Sequence, residues 1–169
     1  MTDRFNWLEI ETAAREEKTS PSRRAEPRDA SSFYRAAREM REAALLGTAC
    51  GYYRKAIGLN DHHYGAWCER IDTLVRSNQL DLADQVSSDA IDNYRQVRLF
   101  YAARALVLTH KHRTQEAFPL ISVALEGDRA AWYPRSVMGE MLLRFDRDQR
   151  FDAQRHFDDA IEKAENPWE

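Results

Sequence analysis

The apolar positions of residues 64–97 form a pattern that the sequence on either side copies. Trp67 opens a helical pattern that Leu74 continues, and Ala83 and Ala90 stand seven residues apart on a second helix. Moving back by 34 residues returns Phe33, Met40, Ala49 and Ala56; moving forward by 34 returns Tyr101, Leu108, Ala117 and Ala124. A fixed period of this length predicts an array of stacked helix pairs. Two short antiparallel helices pack closely only where some contact positions are small, which the alanines supply. The aromatic at the head of each first helix fills the wedge to the next pair.

The spacing predicts helices over 31–46 and 48–59, 64–76 and 81–93, and 96–111 and 114–126. Ser31 or Ser32 is expected to cap the first helix, and Asn60–Asp61 to end the second. A turn is expected at Ser77–Asn78, and Gly127 is expected to stop the sixth helix. Pro119 falls inside that helix and predicts a kink or a late start. A looser fourth copy begins near Pro134, with Val137, Met138, Met141 and Leu142 on its first helix. Its second helix carries Ala153, Phe157, Ala160 and Ile161, with Ala153 placed 36 residues after Ala117. The polar run 146–150 is where the two extra residues are absorbed.

Residues 1–29 stand apart from the period as a tail, of which 19–29 read as a Pro-, Ser- and Arg-rich linker. Within the tail, Phe5, Trp7, Leu8 and Ile10 cluster among acidic residues. They form either a disordered tail or a docking peptide for the inner face of the array. After the fourth copy comes Asn166-Pro167-Trp168-Glu169. Solenoid ends need a polar cap, so either a longer array is cut here or this end is covered by a partner, and an uncapped end is expected to self-associate.

The formal net charge of -3 gives no reason to expect nucleic acid or an anionic membrane as partner. Cys50 and Cys68 have no metal or redox spacing, and Cys50 reads as a buried structural thiol. There is no membrane-length apolar run and no signal-peptide core, which makes the cytoplasm the expected compartment. No phosphate loop, nucleophile elbow or zinc-protease signature occurs. His62–His63 sits at a helix start, and His110 and His112 are two apart, a spacing that sends them to different helix faces. The chain reads as a non-enzyme with no cofactor and no metal.

The period, the leading aromatics, the paired alanines and the turn near Asn78 resemble the tetratricopeptide repeat (TPR). The resemblance covers about 138 of the 169 residues, 30–167, in copies 30–63, 64–97, 98–131 and 132–167. The family's small first-helix position falls on Ala37, Ala105 and Gly139, but on bulky Ile71 in the second copy. Its closing proline is replaced by Asp61, Arg95 and Arg129. The resemblance implies an all-α, right-handed superhelical solenoid of about four antiparallel helix pairs.

It also implies a concave face lined by the first helix of each pair. That face would hold Tyr34, Arg35, Arg38 and Arg41, then Cys68, Glu69, Asp72 and Arg76. Leu99, Ala102, Ala103, Leu106 and Thr109 follow, and then Tyr133, Ser136, Val137 and Glu140. The family's carboxylate-clamp positions hold Tyr34, Arg38 and Glu69, and Glu69 repels a carboxylate. The groove is expected to grade from basic to apolar, with Ala102, Ala103 and Leu106 leaving a trough for a bulky side chain. The expected function is a scaffold or adaptor that grips a peptide or helix of a partner protein. The alternative is a dedicated chaperone for an unfolded or secreted client. RNA binding ranks below both, because the related RNA-reading repeats have a period of 35 and a basic face.

Overall fold

In the computed structural model, which describes residues 27–127, 132–145 and 147–164, the periodic segments become eight α-helices. They are α1 (Ala30–Glu42), α2 (Leu46–Leu59), α3 (Tyr64–Arg76), α4 (Leu80–Asn93), α5 (Arg98–His110), α6 (Thr114–Gly127), α7 (Trp132–Phe145) and α8 (Arg150–Lys163). Consecutive helices pack as pairs, and successive pairs stack. No strand occurs among the described residues. None of their helices is long and apolar enough to cross a membrane.

The paired alanines lie where close approach demands them. Ala49, Ala56, Ala83, Ala90, Ala117, Ala124, Ala153 and Ala160 are all buried. Ala37, Ile71, Ala105 and Gly139 are buried at the small first-helix position. At Gly139 a methyl group would come within 3.0 Å of the Phe157 ring and 3.1 Å of the Ala153 carbonyl oxygen.

The helix ends refine the sequence reading. Asp29, rather than Ser31 or Ser32, caps α1: its carboxylate accepts from the Ser32 N–H at 2.7 Å, while the Ser32 hydroxyl accepts from the Asp29 N–H. α1 stops at Glu42, short of the expected 46, because Ala44 turns into the left-handed region at φ 60°. The Leu45 N–H then bonds to the Met40 carbonyl, and the Ala44 N–H to that of Arg41. The same turn recurs at Asn78 and His112, each with φ 58°, so the period of 34 is written into the backbone as well. α6 runs unbroken from Thr114 with Pro119 on its exposed side, so the late start is not adopted. Pro134 sits in the first turn of α7, which begins two residues before it. A 3₁₀ turn, Arg147–Gln149, occupies the stretch between α7 and α8.

The apolar interior divides in two. A first core holds Ala37, Ala49, Tyr53, Ala56 and Ile57 of α1 and α2 together with Ala66 of α3. A larger core runs from Cys68 on α3 to Met141 on α7. Trp67 packs against both, in the wedge role expected for it. Of the two free cysteines, Cys68 is the fully buried one. Cys50 is only half-buried: it packs against the edge of the larger core, near the charge of Arg70 on α3.

Candidate functional site

α3, α5 and α7 pack directly along one another, whereas α1 reaches α3 through its side chains. The meeting of α1 and α3 is where the polar chemistry of the inner face collects. Glu69 is buried there, and a buried carboxylate is stable only with partners. The Tyr34 hydroxyl donates to its Oε1 at 2.7 Å and the Tyr53 hydroxyl to its Oε2 at 2.5 Å. Arg41 Nη1 lies 3.4 Å from the same Oε2 and 3.6 Å from Asp72 Oδ2, bridging the two acids. Arg38 Nε approaches Glu69 at 4.0 Å, and Arg76 Nε donates to Asp72 at 2.8 Å.

The ionisation of these groups follows from their surroundings. Burial pushes both phenols up, and the Glu69 carboxylate adds to this, so Tyr34 and Tyr53 remain donors. Burial opposes the charge on Arg41, but Glu69, Tyr53 and Asp72 outweigh it and raise its pKa. Asp72 is pushed up by burial against the pull of Arg76 and Arg41, and Glu140 of α7 raises it further. Glu140 itself is held below the usual carboxylate range, chiefly by its 2.7 Å hydrogen bond with His110, and also by Arg144 at 3.1 Å.

The structure thus gathers Tyr34, Arg38, Arg41, Glu69, Asp72 and Arg76 into one connected polar cluster between α1 and α3. Arg35 stands exposed on α1. The apolar half of the expected groove is different. Cys68, Ala102, Ala103, Leu106, Thr109, Tyr133 and Val137 are buried, and Leu99 packs half-buried against the larger core. The trough is filled rather than open. Tyr133 shares one core with Ala102 and Ala103, and lies near enough to Cys68, Asp72 and Glu69 for their charges to raise its hydroxyl pKa on top of burial. Thr109 turns its hydroxyl to the Ala105 carbonyl. Phe5, Trp7, Leu8 and Ile10 lie outside the described residues, as does Trp168, and the pocket expected to receive the N-terminal cluster is closed.

Tyr53 was not among the residues expected at this site. It had a signal in the sequence, since it falls between Ala49 and Ala56 on the helix face that packs inward. Among the described residues, no group of three His, Cys, Asp or Glu side chains is placed to hold a metal ion.

The same arrangement of helices occurs in solved structures of MamA. The chain matches MamA 41-end from Desulfovibrio magneticus RS-1 with a TM-score of 0.54 at 18% identity, over 94% of this chain and 94% of that one. The fold is a TPR-like solenoid. It also matches the MamA RS-1 ArsTM double mutant, with a TM-score of 0.52 at 18% identity, over 80% of this chain and 75% of that one. No family model and no curated protein matches the sequence of this TPR-like chain.

Proposed function

We propose that the chain is a protein–protein interaction scaffold that holds an acidic peptide or helix of a partner in the inner cleft between α1 and α3. The observation that carries this reading is the exposure of Arg38 on α1 and Arg76 on α3 beside Glu69 and Asp72, whose own carboxylates are already engaged. Guanidinium groups with exposed edges recognise carboxylates in pairs. Glu69 at the floor repels the isolated terminal carboxylate that a clamp of the chaperone-tail type requires. The closed apolar trough supports a charged, segmental contact over the long apolar path that an unfolded client needs.

The test is affinity capture on the full chain and on an Arg38→Glu, Arg76→Glu variant, with bound proteins quantified by mass spectrometry. One or a few proteins should be enriched on the parent and fall by about tenfold or more on the variant, as the loss of a charge-assisted pair predicts. Identical capture by both would remove the cleft from consideration.

A further inference from the structure

Three ion pairs of the inner helices share one asymmetry. The side chain of Arg38 is 45% exposed against 9% for Glu69, that of Arg76 65% against 17% for Asp72, and that of Arg144 47% against 37% for Glu140. The carboxylates lie lower and the guanidinium groups stand above them, so the surface is positive although the charges that make it are balanced. Arg76 and Arg144 occupy the same place in the repeat, two periods of 34 residues apart. Each is bonded to the acid one turn earlier on its own helix, at 2.8 Å to Asp72 and 3.1 Å to Glu140. A side chain oriented in advance loses less freedom when it takes a ligand.

Between these two arginines lies α5, which packs on both α3 and α7. Its Ala103 and Leu106 are buried, so the floor there is closed. His110 of α5 meets Glu140 Oε1 at 2.7 Å, the same oxygen that Arg144 uses. Glu140 is also near enough to Asp72 to add to the rise in pKa that burial causes there. The polar strip that starts at α1 and α3 therefore continues over α5 to α7. On α1 the place of Arg76 and Arg144 is taken by exposed Glu42, and the positive edge moves to Arg38, one turn nearer the helix start.

We propose that the partner segment is extended rather than helical, and that it crosses α5 to place a second acidic group on Arg144. This rests on the reading of Arg38 and Arg76 as the first acidic contact, and it adds a second contact and a ruler between the two. Two interhelical steps separate α3 from α7, at most about 20 Å. An extended chain covers about 3.3 Å per residue, so about five residues bridge the two acidic groups. The closed floor over α5 offers those residues no pocket and asks of them only length. Two weak charge contacts on one chain reinforce each other when the connection spans the gap, and not when it is too short.

Fluorescence anisotropy with three labelled synthetic peptides and the full chain tests this. Each peptide carries two Glu-Glu pairs, separated by about one, five or ten Gly and Ser residues, so that net charge is constant and only the span differs. The middle peptide should bind about tenfold more tightly than the shortest, and the longest should fall slightly below the middle one. Arg144→Gln should reduce the middle peptide to the level of the shortest and leave the shortest unchanged, with the circular dichroism of the parent. If Arg38→Glu, Arg76→Glu weakens all three peptides while neither span nor Arg144→Gln matters, the crossing is overturned and the acidic reading of the first contact stands. Binding that no variant alters is charge attraction without a site, and overturns both. If no peptide binds, the acidic reading fails and the crossing fails with it.

Discussion

Glu69 is held by two phenols that are not equivalent. Tyr53 is fully buried and its hydroxyl has no water to turn to, whereas Tyr34 is half-exposed on α1. Removing a donor from a buried charged acceptor strands part of that charge. Tyr53→Phe should therefore cost about 1.5–3 kcal/mol, and Tyr34→Phe clearly less because water can replace its hydroxyl. Urea denaturation of both variants measures this, and equal losses would mean that Glu69 does not depend on Tyr53. The same phenols set an alkaline limit. Their pKa values are raised in the fold above the ordinary 10.0. The folded state then holds these protons more tightly than the unfolded one, so stability is complete below pH 10.0 and falls as pH rises beyond it.

At the scale of the element, the turns between paired helices are the points of strain. Ala44 and His112 adopt left-handed backbone that costs a residue with a β-carbon about 1–2 kcal/mol, and both side chains are exposed. Ala44→Gly and His112→Gly should each raise stability by about 0.5–1 kcal/mol, read as a higher melting temperature. A loss would show that the side chain does something beyond the turn. Asn78 tolerates the conformation better and should gain less. The helix pairs were legible in the sequence because the need for small residues at a close crossing is local: Ala83 and Ala90 announce it by themselves. The helix ends were less so. Ser31 and Ser32 looked like caps by residue type, yet the capping box requires an acceptor three residues before Ser32, which is Asp29. Junctions between pairs also change their chemistry without changing place. Lys111 reaches Asp84 at 2.9 Å between the second and third pairs, and at the same positions Phe145 meets Phe118 with rings 5.6 Å apart between the third and fourth.

For the whole molecule, the inner face depended on something the sequence does not display. Whether Ala102, Ala103 and Leu106 line an open groove or a closed seam is decided by how tightly α3 and α7 draw together across α5. That curvature sums small rotations over residues far apart in sequence. Glu69 and Asp72 were read from the sequence as groove residues, but Tyr53, which donates to Glu69, comes from the second helix of the first pair, outside the expected lining. The two-core interior has a consequence for motion. Between the two cores, Trp67 packs against both, Ala66 of α3 belongs to the first and Cys50 of α2 packs against the larger one; polar contacts of Tyr34, Tyr53, Arg38 and Arg41 to Glu69 and Asp72 also join the first pair to α3. Such a joint lets one unit open while the rest stays folded. Amides of α1 and α2 should exchange with deuterium well ahead of those of α5, and Tyr53→Phe should quicken the former while leaving the latter at the rate of global unfolding. Uniform exchange across α1–α7 would instead make the molecule a single cooperative unit. With the split, capture of a partner in the cleft would slow the exchange of α1 and α2 most, so the timing of the first pair's opening would govern how long a partner stays.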